Sequence, residues 1–271
     1  DLRGPGVDEY TAGVDFGISR VVTASFNYVH KRDFGNNVEL DLAEPLEAFT
    51  HVRFGTVPGP HNIVGTGDDA QIPVFSVPRS YPTFGQVIER TVQDEGPFQH
   101  GKYHSLGMIL NKQNSNGWSG LVSLNIDRRD GPHDSPIDAN DAYYNNLGGG
   151  DVEVPEWNYS FRMSGTYSRL PWGLMYGTAF SYQSGDYYDR EVQLRNALNS
   201  TVNLIVKDNF GQLEPVRIWD NRVTKRFSLP RGQRIEASLD IFNTLNTNAV
   251  TEVEIRNGSD FLPPQQIISP R

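Results

Sequence analysis

The chain has no cysteine among its 271 residues. That excludes a disulfide framework and any thiolate-held metal. Long apolar runs are missing as well. Nothing approaches the roughly 18 consecutive apolar residues of a transmembrane helix. Membrane strands remain open, because each needs only about 9–11 residues and half of those can be polar. Cations never run beyond two in a row. Lys and Arg total 24 against 33 Asp and Glu, for a net charge of -9. A phosphate-binding surface needs clustered cations, so no nucleic-acid partner is expected. Methionine numbers only 3, apolar residues make up 37%, and mean hydropathy is -0.51. That is lean for an enzyme core of this length. What the chain does have is 26 Gly, 12 Tyr and 14 Phe, a composition for strands and turns.

Period two dominates the pattern. In residues 158–169, Tyr159, Phe161, Met163, Gly165 and Tyr167 fall on one face, and Ser160, Arg162, Ser164, Thr166 and Ser168 on the other. Such alternation predicts a strand with one apolar and one wet face. The turn Leu170-Pro171-Trp172-Gly173 follows. Leu174, Tyr176, Thr178, Phe180 and Tyr182 then alternate with Met175, Gly177, Ala179, Ser181 and Gln183. The same design recurs at 9–18, 22–29, 103–111, 118–127 and 234–241, and less cleanly at 218–229.

These segments predict about eight strands in four hairpins. Short turns fall near residues 19, 115, 171 and 231. Long polar connections cover about 33–100, 130–157, 185–217 and 244–271. Short and long connections alternate strictly, as in outer-membrane barrels, whose turns are short on the periplasmic side and long outside. A soluble sandwich gives no reason to gather all its long loops at one end. Short strands are expected inside the first loop, near 37–42 and 71–77. Residues 191–199 are the one stretch that fits a short helix.

Catalytic and metal chemistry find no frame. His61, His100, His104 and His133 are scattered, without an HExxH or other paired spacing. Asp134, Asp138, Asn140 and Asp141 share one loop, but not in the order of a calcium-binding EF-hand, so a solvated acidic loop is expected. Gly65-Thr66-Gly67-Asp68-Asp69 has no strand and helix around it to make a phosphate loop, which leaves a turn. No G-x-S-x-G elbow occurs. Asp127, Asp130, Asp186 and Asp189 neighbour Arg128, Arg129 and Arg190, which suggests rim ion pairs rather than a catalytic dyad. The chain is therefore expected not to be an enzyme and to carry no cofactor. The aromatics say more. Trp118, Tyr167, Trp172, Tyr176, Tyr182 and Trp219 fall near strand ends, where the aromatic girdles of membrane barrels lie.

Several stretches together resemble the Oar-like branch of TonB-dependent receptors. They are Gly101-Lys102-Tyr103 through Lys112, Asn116-Gly117-Trp118, Tyr167-Ser168-Arg169-Leu170-Pro171-Trp172-Gly173, and Ser181-Tyr182-Gln183-Ser184-Gly185. Asp220-Asn221-Arg222-Val223-Thr224-Lys225-Arg226-Phe227, Asp240-Ile241-Phe242-Asn243-Thr244-Leu245-Asn246 and Gln266-Ile267-Ile268-Ser269-Pro270-Arg271 complete the set. The resemblance covers most of the chain from about residue 101 onward. It implies an all-β, antiparallel transmembrane β-barrel segment in the cell outer membrane. Residues 1–271 would then form one partial barrel domain, without the family's plug or its terminal strand. It also implies partners: the lipid bilayer, a plug domain and TonB complex acting through an N-terminal region, and a nutrient of unknown identity. Recognition of that nutrient is expected from loops 130–157 and 185–217. Two other readings stay open: a complete small outer-membrane barrel serving as adhesin or passive pore, and a soluble carbohydrate-binding β-sandwich.

Overall fold

In the computed structural model the alternating segments are strands. The structure describes residues 4–35, 37–59, 63–93, 101–130, 139–140, 156–256 and 261–268. The hairpin β1 (Gly6–Ser19) and β2 (Val22–Phe34) comes first. Four short strands follow: β3 (Asn37–Asp41), β4 (His51–Val57), β5 (Ala70–Ser76) and β6 (Glu89–Gln93). Next are β7 (Lys102–Ser115), β8 (Trp118–Asp130), β9 (Glu156–Tyr167) and β10 (Leu174–Gln183). A second shorter pair, β11 (Tyr187–Arg195) and β12 (Thr201–Gln212), precedes β13 (Val216–Ser228) and β14 (Arg234–Ile241). The last two are β15 (Val250–Val253) and β16 (Pro264–Ile267).

The eight long strands form one sheet in the order β1-β2-β7-β8-β9-β10-β13-β14, antiparallel at every step. It is all-β, in four hairpins, as the sequence predicts. The sheet is open: among the described residues, β1 and β14 each pair on one side only. Turn chemistry sets the register. Asn116 and Gly117 have φ of 54° and 82°, the left-handed pair that closes a tight hairpin in step with strand twist. Trp172-Gly173 and Arg231-Gly232, each after a proline, repeat that left-handed pair. Lys225 Nζ donates to the Trp172 carbonyl and helps hold the first of them.

The long connections build small sheets of their own: β3 with β6, β4 with β5, β11 with β12, and β15 with β16. The expected strands near 37–42 and 71–77 are β3 and β5. The expected short helix at 191–199 is instead the second half of β11 and the turn after it. Its own alternation explains this: Arg190, Val192 and Leu194 are buried and Gln193 and Arg195 exposed, which is period two.

Asp41 ties the end of β3 back to the chain. Its carboxylate accepts the amides of Ile88 (3.0 Å) and Ala43 (2.8 Å). These bonds, Ile88's first, hold its carboxyl below the usual carboxylate range. A depressed folded value means the stabilisation is present above the unfolded pKa, about 4. It is lost as pH falls through the folded value. The amide signals of Ala43 and Ile88 are expected to titrate together, with a midpoint below the ordinary Asp value. A midpoint at or above that value contradicts this role for Asp41.

Candidate functional site

Burial is inverted relative to a water-soluble protein. The buried apolar cluster lies in the long connections: Val57, Ile72, Val74, Val192, Leu194 and Leu204. The large sheet, by contrast, leaves Tyr10, Val14, Phe16, Leu110, Met163 and Leu239 exposed. Strand pairing puts these side chains in continuous rows. One row runs Phe16, Ala24, Leu110, Val122, Met163, Phe180, Trp219. The next runs Val14, Phe26, Met108, Leu124, Phe161, Tyr182. No charged residue interrupts this face on β8 between Trp118 and Arg128. Those ten steps span roughly 33 Å of strand at about 3.3 Å per residue. Tilted by about 40°, they rise about 25 Å, the height of an outer-membrane apolar band.

Aromatics edge that band. Trp118, Tyr167 and Tyr176 stand side by side in one row at the short-turn end, continued by Val223 and Leu239. Lys112 Nζ sits 3.9 Å from the centre of the Trp118 ring, while donating to the Ser115 and Trp118 carbonyls (3.0 and 2.9 Å). Trp172, in the neighbouring turn, is 81% exposed. Tyr182 lies at the long-loop end of β10, with Arg217 over its ring. Trp219 is the fourth residue of β13, opposite Phe180, and its indole N–H donates to Thr178 Oγ1 at 2.7 Å. The structure therefore brings three of the six predicted aromatics into one row and places the other three separately.

The opposite face is wet and concave. Polar side chains line it: Ser105 Oγ donates across to Asn125 Oδ1 (2.9 Å), and Asn125 Nδ2 along its own strand to Asp127 (2.9 Å). The Ser119 and Thr166 hydroxyls are 2.8 Å apart. Ion pairs Lys31–Glu9, Arg222–Asp240 and Arg226–Glu236 lie on it near the edges. Ser119, Ser164, Thr166, Gly177 and Ala179 are small, and the space they leave beside Asp220, Arg222 and Asp240 is a groove of about 420 Å³. Sequence reading identified this face but not the groove, which exists only once register sets the small residues side by side.

Above the sheet, all four long connections interlock. The β4–β5 and β11–β12 ribbons share the buried cluster. Arg190 is fully buried there, and its guanidinium donates to the Pro58 (2.6 Å) and Gly59 (3.2 Å) carbonyls. The expected rim position for Arg190 is thus corrected: its strand carries it into the loop core, beside carbonyls that end β4. Arg53 reaches Asn199 Oδ1 at 2.9 Å. From the second connection, Asn140 exchanges two bonds with the Phe75 backbone, 2.6 and 3.1 Å. The last connection joins through the Glu191 amide, which donates to the Ile255 carbonyl at 2.8 Å.

Other sequence candidates resolve simply. The 65–69 segment is a self-satisfied turn, with Thr66 Oγ1 on Asp68 and Asp69 and the Gly65 amide on Asp69 Oδ2 (2.6 Å). Asp134, Asp138, Asp141, His61, His100 and His133 lie outside the described residues. His104 instead bonds the Tyr28 hydroxyl through Nδ1 (2.7 Å) and packs on His30.

No protein-family profile matches the chain, and no curated protein is similar to it. Among solved structures, the outer membrane transporter YddB from Escherichia coli is similar at 15% identity and a TM-score of 0.47. The match covers 94% of this chain and 30% of that one, so the chain spans under a third of the transporter's length.

Proposed function

We propose that this chain is part of an outer-membrane transporter barrel, in which the apolar face meets lipid, the wet face lines the lumen, and the loop cap meets ligand. The inverted burial carries the reading. Exposed Phe, Leu, Tyr and Trp rows would drive association in water, whereas lipid covers them without cost. A sandwich would need a second sheet against this face, and the described residues provide none. A closed eight-stranded barrel would need β1 paired with β14. Both edges instead offer unpaired backbone groups, which lipid cannot satisfy, so further strands must complete the wall. The resemblance noted in the sequence supports a finer version: TonB-dependent uptake of a scarce nutrient, with a plug in the lumen and no catalytic step.

Growth at limiting supply tests this version. Wild-type cells, cells lacking this gene and cells lacking TonB are compared on ferric siderophores, cobalamin, peptides and oligosaccharides. One nutrient is expected to become unusable in both mutants. A nutrient that becomes unusable without this gene but stays usable in cells that lack TonB contradicts active uptake and favours a passive pore.

A further inference from the structure

Charge is distributed unevenly between the two ends of the sheet. Residues 16–25, 111–121, 166–177 and 225–237 cover the four short turns and the strand ends that enter and leave them. They hold seven of the 24 cations and one of the 33 carboxylates, which leaves 17 cations and 32 carboxylates to the rest of the chain. The one carboxylate, Glu236, is already paired with Arg226 at 2.7 Å. Beyond it on the same strand, Asp240 is taken by Arg222. Arg20 and Arg231 lie in turns and Arg169 one residue before a turn. All three are exposed, and none makes an ion pair among the described residues.

Two lysines bring charge to the same level from the outward face. Lys112 stands in the row of Val22 and Gly120, and Lys225 in that of Leu174 and Ala237. Both reach toward the turns: Lys112 Nζ donates to the Ser115 carbonyl at 3.0 Å, and Lys225 Nζ to the Trp172 carbonyl. A stem laid along apolar surface with its ammonium at the edge is the posture of a snorkelling lysine. Arg169 crosses the neighbouring Asn116-Gly117 turn so closely that a Cβ on Gly117 would stand 2.4 Å from its Cγ. Trp172, whose carbonyl Lys225 holds, is 81% exposed and has φ of 60°. That left-handed conformation suits glycine or asparagine and is costly for a bulky residue. The ring held out in this way is at home in the interfacial zone of a bilayer. A periplasmic polyanion would meet the turn tips but not the outward lysines. A zwitterionic lipid would leave the excess charge uncompensated. We infer that the short-turn rim selectively binds the phosphate of an anionic phospholipid in the periplasmic leaflet, with the acyl chains along the outward rows. The inference rests on the membrane orientation proposed above.

The test uses the full-length protein in detergent, with lipid retention read by native mass spectrometry. Phosphatidylglycerol is compared with phosphatidylethanolamine of the same acyl chains. Phosphatidylglycerol is expected to be the better retained. The triple variant Arg20→Gln/Arg169→Gln/Arg231→Gln is expected to retain it at least about tenfold less well, given what each basic side chain contributes at an anionic surface. The corresponding Lys triple keeps the charge and is expected to keep most of the retention. Arg79→Gln/Arg90→Gln/Arg162→Gln removes the same charge away from the short turns and is expected to change nothing. Gel mobility before and after boiling shows that each variant is folded. Equal retention of the two lipids by the wild type overturns the inference, as does an equal loss in the distant triple. Full competition by millimolar inorganic phosphate, or capture by isolated peptidoglycan through the same arginines without a lipid preference, overturns it too. A protein that inserts in membranes but shows no such preference defeats only this inference. One that is soluble without detergent defeats the membrane orientation as well.

Discussion

Leu110→Arg is expected to cost about 2–4 kcal/mol of membrane-folded stability, while Ile109→Arg costs less than about 1 kcal/mol. The two residues are neighbours on β7, both apolar, and both 44% exposed. Only their direction differs. Leu110 stands in the row of Ala24, Val122 and Met163, near the middle of the apolar band. Ile109 stands between Ser25 and Ser123 on the wet face. A guanidinium at 110 has to enter hydrocarbon, where its desolvation is opposed only by snorkelling along its own stem. At 109 it points into water, with Asp15 in the same row. Denaturant titration of the protein refolded into lipid vesicles gives both numbers. Equal costs, or a larger cost at 109, would mean that the apolar face is not the lipid face.

Why the sheet was legible and the cap was not follows from range. Period two is local. Eleven or twelve residues such as 158–169 display it without any knowledge of partners, and Pro-x-Gly or Asn-Gly turns close three of the four hairpins within the same stretch. The groove needs more. Ser119, Thr166 and Gly177 come from three strands, and only register brings them together. The cap is harder still. Asn140 meets the Phe75 backbone and Arg190 meets Pro58 and Gly59 across long loops whose polar composition announces no core. A signal was present in β11, where Arg190, Val192 and Leu194 alternate. It was hidden because a charged residue occupies the first inward position, and because the run is too short to distinguish from one face of a helix turn.

That buried charge makes the second large effect. Arg190→Met is expected to destabilise the loop cap by about 2–4 kcal/mol. The Pro58 and Gly59 carbonyls lose a charged donor, and each such loss at a buried acceptor costs about 1–3 kcal/mol. Methionine recovers part of this by filling the space beside Val57 and Val192. The effect should stay local. Amide hydrogen exchange is expected to quicken in β4, β5, β11 and β12 and to stay unchanged in β7, β8, β9 and β10, whose ladders do not depend on the cap. Exchange that quickens equally throughout the large sheet would show that cap and wall fold as one unit. No change anywhere would show that Arg190 is replaceable.

The central claim is that water does not cover the outward rows. It is tested most directly by fractionating cells that express the full-length protein and comparing its gel mobility before and after boiling. The expected result is recovery in the outer membrane, extraction only with detergent, and a mobility shift on heating as the closed wall unfolds. Recovery as a soluble monomer without detergent would contradict it, and the exposed Phe, Leu and Tyr rows would then have to find a protein partner.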